Sequence, residues 1–118
     1  MSQTTPVDIV QRQLEAYNSR DLERFLEQFA DDAAVFDLGA PAAVLTGKAQ
    51  IRDRYRDLFA RSPHLFSRVV NRTAFAHVVV DLEHITGRNG SDEPFEVLAI
   101  YEVGALTIQR VHFVRKPS

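Results

Sequence analysis

The order of two hydrophobic periodicities along the chain is the feature that most constrains its fold. Up to residue 62, apart from a short strand-like stretch at residues 33–45, the apolar residues recur at the three- and four-residue spacing of amphipathic helices, whereas from residue 66 onward they alternate or form short continuous runs. A block of helices followed by a block of strands predicts an α+β fold, in which the helices cover one face of a curved, mainly antiparallel sheet. The length of 118 residues predicts a single domain, residues 1–118.

Three helices are predicted in the first half of the chain. The first begins at residues 5–8 (TPVD), where a threonine and an aspartate have the spacing of a capping box and a proline follows the cap. Asp21 is expected to cap the second helix, whose apolar stripe reaches Phe29. Thr46 is expected to cap the third helix, which ends at residues 62–63 (SP).

The strands are predicted from runs of β-branched and aromatic residues that are bounded by turn formers. A strand at residues 33–37 ends on Asp37, and a small strand is expected at residues 43–45. Gly104 and Ala105 are expected to form a two-residue type II′ turn between the last two strands. Four long strands are predicted, at residues 66–74, 78–86, 95–103 and 108–115.

The strand at residues 78–85 (VVVDLEHI) fits into the sheet in two ways. With the more apolar set of side chains inside, Asp81 and Glu83 lie in water. The last two strands, however, are apolar on both faces, which predicts a homodimer that packs through the outer face of the sheet. In that case Asp81 and Glu83 can face the interior, and the sequence leaves the choice open.

Composition and missing motifs exclude several classes of function. The formal charge of −2 does not indicate a nucleic-acid partner, and no apolar run is long enough to span a membrane. The chain has no cysteine, no histidine pair at metal-ligand spacing, no nucleophile elbow and no phosphate- or dinucleotide-binding loop, so we expect no metal and no cofactor. The N-terminus has no secretory pattern, and we expect a cytoplasmic location. Arg52, Arg54, Arg56 and Arg61 alternate with acids and predict a solvated helix face.

Three segments carry a resemblance to a known superfamily. Residues 16–25 (AYNSRDLERF), 29–33 (FADDA) and 46–52 (TGKAQIR), together with the order of elements over essentially the whole chain, resemble the NTF2-like superfamily and within it the SnoaL-like and steroid delta-isomerase branch. The resemblance implies an α+β, NTF2-like (cystatin-like) cone with three N-terminal helices packed on the sheet. This fold hosts isomerases, cyclases, dehydratases, epoxide hydrolases and binding modules, so the fold alone implies no single function.

The resemblance to the steroid isomerases also implies roles for individual residues. Asp37 falls at the position of their carboxylate base, and Tyr55 at that of a supporting tyrosine. Gln13 and Tyr101 stand where those enzymes keep a tyrosine and a protonated acid, and an amide and a phenol can likewise donate hydrogen bonds to an enolate oxygen. We therefore predict a cofactor-independent isomerase or cyclase that abstracts a proton next to the carbonyl of a small, apolar, cyclic substrate. The predicted cavity wall contains Leu14, Tyr17, Phe25, Phe29, Phe59, Val97, Val111 and Phe113.

Two other interpretations stay open for the chain and for Asp37. The chain can be a non-catalytic module that binds an apolar ligand or only dimerises. Asp37 can be an acid at a strand end that faces water or caps the following turn. A third possibility for Asp37 is a pair with His84, as in dehydratases of this fold.

The acids of the strand at residues 78–85 also have two interpretations. Asp81 and Glu83 can form, with an arginine, the Asp–Arg–Asp arrangement that resembles the epoxide hydrolases of this fold. Arg72 and Arg115 are the candidates for that arginine. Exposed ion pairs explain the same residues without any chemistry.

Overall fold

The computed structural model of the protein describes residues 3–116. This part of the chain contains the helices α1 (Pro6–Ser19), α2 (Leu22–Glu27) and α3 (Lys48–Arg61). The strands are β1 (Phe29–Asp37), β2 (Leu45–Thr46), β3 (Phe66–Phe75), β4 (Val78–Thr86), β5 (Phe95–Val103) and β6 (Ile108–Arg115), and a short 3₁₀ turn, Arg88–Gly90, follows β4. Within these residues no helix is long and apolar enough to cross a membrane.

The six strands form one sheet in the order β2-β1-β6-β5-β4-β3. Only β1 and β6 pair in parallel, and the other neighbours are antiparallel, so the predicted α+β architecture is confirmed. The predicted capping box at the start of α1 is present: the Asp8 N–H donates to the Thr5 hydroxyl at 3.2 Å, and the Thr5 N–H donates to the Asp8 carboxylate at 2.9 Å. The bounds of β4, β5 and β6 are those predicted.

The end of the second helix differs from the prediction. Helix α2 ends at Glu27, and Phe29 already belongs to β1, where it lies beside Ile108 of β6. The Ile108 N–H donates to the Gln28 carbonyl at 2.7 Å, which draws the chain into the sheet directly after the helix. The stripe that ends in Phe29 therefore marks residues on one side of the core rather than one continuous helix.

The start of the third helix also differs from the prediction. The cap of α3 is Gly47, which has a φ of +89° and offers no side-chain hydrogen bond. Thr46 is the last residue of β2, and its N–H donates to the Gln50 side-chain carbonyl at 2.8 Å. Glycine is favoured here because a left-handed φ is costly for residues with a side chain.

The link between β5 and β6 has four residues, 104–107, instead of the predicted two. The Gly104 N–H donates to the Thr107 carbonyl at 2.7 Å, and Gly104 does not have the positive φ that a type II′ turn requires. The register of the two strands shifts between Glu102 and Val103, which absorbs the additional residues.

The orientation of β4 settles which of its side chains face the helices. Val79, Asp81, Glu83 and Ile85 are the buried set, with exposed fractions of 0%, 1%, 6% and 5%. The opposite set, which includes Val80 and Leu82, is only half-buried on the outer face. The placement of the two acids in water is therefore wrong, because the helices pack against the face that carries them.

Candidate functional site

A cavity lies between α1, α3 and the face of the sheet that the helices cover. The space open to the centres of water molecules has a volume of about 100 Å³. On this measure one water needs roughly 10–15 Å³, so the cavity is large enough for several. Apolar side chains from β1, β4, β5, β6 and α3 form much of its wall, among them Val35, Ile85, Val97, Leu58 and Phe113. Its polar interior is formed by Gln13, Tyr17, Tyr55, Glu83 and Tyr101. The cavity can hold a small molecule with an apolar body and a polar group.

Glu83 is the acid inside this cavity. The Ser67 hydroxyl donates to Glu83 Oε1 at 2.6 Å, and the Tyr101 hydroxyl donates to Oε2 at 3.3 Å. Burial raises the pKa of Glu83 above its ordinary value, and the nearby charge of Asp81 raises it further; the hydrogen bonds from Ser67 and Tyr101 and the charge of Arg72 lower it. A carboxylate with a raised pKa is a stronger base than an exposed one, so Glu83 is suited to proton abstraction.

The segment AYNSRD explains why Ser67 stands beside Glu83. Asn18, in the last turn of α1, donates from Nδ2 to the Ser67 carbonyl at 3.0 Å and accepts from the Ser67 N–H at 2.8 Å. Arg20 ends the helix in the left-handed region, at φ +53°, and donates to the Leu65 carbonyl at 2.8 Å. The end of α1 thereby fixes the start of β3 and with it the hydroxyl that bonds Glu83.

Asp81 has a different partner from Glu83. Arg72 donates to both carboxylate oxygens of Asp81, at 2.7 and 2.9 Å, and also to the Gln11 side-chain oxygen at 2.9 Å. The side chain of Asp81 is 1% exposed, so the interpretation as an exposed ion pair is wrong. Among the described contacts Arg72 does not bond Glu83, and the Asp–Arg–Asp arrangement is not formed.

The three tyrosines of the chain all line the cavity. Burial raises the pKa of Tyr101 well above its ordinary value and that of Tyr55 to about 12, and it also raises the pKa of Tyr17. The charge of Glu83 contributes to each of these pKa shifts, and Tyr101 also donates to its carboxylate. All three therefore stay neutral and can donate hydrogen bonds.

Gln13 completes the polar interior from α1. Its side chain is 7% exposed, and its Oε1 is buried without a hydrogen-bond partner among residues 3–116. A buried acceptor is rarely left unsatisfied, so this oxygen is available to a donor from a molecule in the cavity.

Asp37 lies outside the cavity lining. Its side chain is 53% exposed and forms an ion pair with Arg115, and its carbonyl accepts from the Ala40 N–H at 3.0 Å. The role of a base inside the cavity, which the resemblance implied for Asp37, does not agree with this position, because β1 ends at this residue and the chain turns into solvent. The alternative of an acid that closes a strand agrees with this geometry.

The structure also separates His84 from Asp37. His84 lies on the outer face of β4, on the opposite side of the strand from Glu83. The possibility of a dehydratase-like pair of His84 and Asp37 is therefore wrong, because Asp37 bonds Arg115 at the end of β1.

The predicted cavity wall is only partly correct. Tyr17, Val97 and Phe113 line the cavity. Phe25, Phe29 and Phe59 instead pack with Tyr17 and Tyr55 in a buried aromatic cluster, with ring centroids 4.6 to 6.4 Å apart. Val111 is buried in the core, and Leu14 is half-buried; neither lines the cavity.

Four arginines also line the cavity: Arg54, Arg61, Arg88 and Arg115. The prediction of a solvated helix face holds for Arg52 and Arg56, which are exposed and pair with acids. Arg54 and Arg61 are exposed as well, but the prediction did not place them at the cavity. Their separation of seven residues, on the same side of α3 as Leu58, was the available signal.

Comparisons with known proteins support the family resemblance. A family model described as a SnoaL-like domain matches residues 10–110. No curated protein matches the chain. An uncharacterized cystatin-fold protein from Novosphingobium aromaticivorans is 27% identical, and the alignment covers 94% of this chain and 98% of that chain with a TM-score of 0.85.

Two more distant structures share the fold. An LEH-like epoxide hydrolase from M. tuberculosis is 16% identical, with 97% of this chain and 84% of that chain covered and a TM-score of 0.77. A protein with a ketosteroid isomerase-like fold from Catenulispora acidiphila is 19% identical, with 93% and 85% covered and a TM-score of 0.74. The NTF2-like (cystatin-like) fold predicted from the sequence is thereby confirmed.

Proposed function

Because the chain belongs to the SnoaL-like domain family, we propose that it is a cofactor-independent enzyme of the isomerase or cyclase type, with a small, mainly apolar, cyclic substrate. The observation that carries this proposal is the position of Glu83, a buried carboxylate of raised pKa that lines the cavity beside three phenols. Asp37, which the resemblance implied as the base, is exposed and ion-paired. We therefore assign the base to Glu83.

The reaction begins with transfer of a proton from the carbon next to a substrate carbonyl to Glu83. The electron pair of the C–H bond forms a carbon–carbon double bond, and the carbonyl π pair moves onto oxygen, which gives an enolate and a neutral glutamic acid. In a substrate that also carries a β,γ carbon–carbon double bond, the enolate is a conjugated dienolate, and Glu83 returns the proton to its γ-carbon, which isomerises the substrate to the α,β-unsaturated compound. No cofactor is required, because the proton that leaves is the proton that returns.

The enolate oxygen needs hydrogen-bond donors, and the cavity offers several. The described contacts give the hydroxyls of Tyr17 and Tyr55 no protein partner, so both are free to donate to a substrate oxygen. Tyr101 already donates to Glu83 and holds the base in place, and Gln13 contributes an amide. One such donor typically contributes roughly 10²–10³ in rate.

The test is exchange of the α-protons of cyclohexanone and 2-cyclohexenone for deuterium, followed by NMR with Glu83→Gln and Asp37→Asn as matched variants. Loss of a general base typically lowers a rate by roughly 10²–10⁴, so Glu83→Gln should lower the enzyme-dependent exchange by that factor. Asp37→Asn should stay within a few-fold of wild type.

Two results would contradict the proposal. Unchanged exchange in Glu83→Gln, with loss in Asp37→Asn, would return the base to Asp37. No exchange above buffer in the wild type would favour the non-catalytic binding module.

We also propose that the protein is a homodimer through the outer face of the sheet. The central strands β4 and β5 present half-buried apolar side chains there, including Val80, Leu82, Leu98 and Ile100. Val114 of β6, paired with Leu98, continues this outer apolar surface and is 37% exposed. A contiguous apolar surface of this kind is typical of a protein interface.

A further inference from the structure

The rim of the cavity is basic although the molecule as a whole is not. Arg54 and Arg61 from α3, Arg88 after β4, and Arg115 at the end of β6 are exposed and line the cavity. The acid among the lining residues is Glu83, which is buried. The formal charge of the chain is −2, so this concentration of arginines does not follow from a generally basic surface.

The arginines of α3 divide into two groups by their ion pairs. Outside the cavity, Arg52 pairs with Glu23, and Arg56 pairs with Asp53 and Asp57. Arg54 and Arg61 have no carboxylate within 4.0 Å among residues 3–116.

Arg88 and Arg115 are placed at the rim by aromatic rings. The guanidinium of Arg88 lies 5.2 Å from the centre of the Phe95 ring, and that of Arg115 lies 4.9 Å from the centre of the Phe113 ring. Arg115 also pairs with Asp37, whereas Arg88 has no carboxylate within 4.0 Å in the described part of the chain. Three guanidinium groups are thus free for an anion at the cavity mouth.

We propose that the substrate is a cyclic ketone that carries a carboxylate, and that Arg54, Arg61 and Arg88 bind this carboxylate at the rim. The inference rests on the proposed function, because Glu83 inside the cavity takes the proton next to the ketone. Guanidinium groups bind carboxylates through paired, charge-assisted hydrogen bonds. Leu58, Phe95 and Phe113 line the cavity wall, and in this proposal they pack against the ring of the substrate.

The test compares the binding of 3-oxocyclohexanecarboxylate with that of its neutral amide, 3-oxocyclohexanecarboxamide, by isothermal titration calorimetry. Charge-assisted hydrogen bonds at a partly exposed rim should make the acid bind roughly tenfold more tightly than the amide at low salt. The double variant Arg54→Gln/Arg61→Gln should remove this preference, and so should Arg88→Gln in large part. Arg56→Gln changes the same charge on the same helix outside the cavity and should keep the preference.

Equal affinity for the two compounds, including no binding of either, would overturn the inference, as would an unchanged preference in the double variant. The deuterium exchange of the same acid separates this inference from the proposed function. Glu83→Gln should lose the exchange and keep the preference for the acid. If the wild type prefers the acid but does not exchange the α-protons of that compound, the basic rim would be supported and the proposed enzymatic function would be refuted.

Discussion

Glu83 is held inside the protein by neutral hydrogen-bond donors, and no cation bonds it directly among residues 3–116. The hydroxyls of Ser67 and Tyr101 bond its two oxygens, and they lower its pKa only against a larger opposing effect of burial. Asp81, two residues earlier, has instead a bidentate bond from Arg72. Asp81 and Glu83 lie on the same face of one strand, but only the charge of Asp81 is balanced by an arginine. Glu83, whose charge has only neutral donors, is therefore suited to accept and return a proton.

At the scale of a single element, the link after β4 is built around close packing of the backbone. Gly87 has a φ of +78°, and a Cβ at this position would lie 2.3 Å from the carbonyl oxygen of His64. Gly90, three residues later, has a similar φ of +75° but nothing within 4 Å of its Cβ position. A comparison of substitutions at the two glycines therefore separates the free-energy cost of a left-handed φ from that of a steric clash.

Gly87→Ala is predicted to destabilise the protein more than Gly90→Ala, as measured by urea unfolding. Gly90→Ala should cost about 1 kcal/mol from its φ alone. Gly87→Ala should cost roughly 1–3 kcal/mol more, because the His64 backbone must move. Equal losses of stability would contradict the close approach of the two segments. Displacement of this link should also move Arg88 from the rim.

The elements that could be predicted from the sequence are those with long, regular patterns. The bounds of β4, β5 and β6 follow from their runs of β-branched and aromatic residues. The assignment of Phe29, the cap at Thr46 and the turn after β5 could not be predicted, because the register of strand pairing decides each of them. Phe29, for example, lies beside Ile108, which is 79 residues further along the chain.

At the scale of the whole molecule, the two faces of the sheet decide where the site lies. Both sets of side chains on β4 contain apolar residues, so its own pattern could not place Asp81 and Glu83. The neighbouring strand gives the missing information: β3 provides Arg72 for Asp81 and Ser67 for Glu83 on the inner face.

The tyrosines and Gln13 were predicted at the cavity because of the family resemblance. For the basic rim, the spacing of Arg54 and Arg61 along α3 was the only local signal, and it does not show that Arg88 and Arg115 join them there.

The outer face is predicted to hold two copies of the chain together. Leu82 and Leu98 are directly paired near the centre of this face, so Leu98→Glu would bury a charge in a dimer interface. We expect a dimer for the wild type and a monomer for Leu98→Glu in sedimentation velocity experiments. Leu106→Glu, at a position that is 67% exposed in the β5–β6 link, should remain dimeric. A monomeric wild type would contradict this assignment.

The raised pKa of Glu83 is tested directly by the free energy of unfolding of wild type and Glu83→Gln, measured with urea across a range of pH. The pKa of Glu83 is raised above 4.5 in the fold, so between 4.5 and that raised value the folded protein binds more protons than the unfolded chain. The stability of the wild type relative to Glu83→Gln should therefore fall as the pH rises above 4.5, and then level off.

We expect the two stability curves to separate in favour of Glu83→Gln toward neutral pH. Asp37→Asn provides the control, since removal of an exposed ion pair should cost roughly 0–1 kcal/mol. Parallel curves for wild type and Glu83→Gln, or a wild type that gains relative stability above pH 4.5, would contradict the assignment of Glu83 as the buried base.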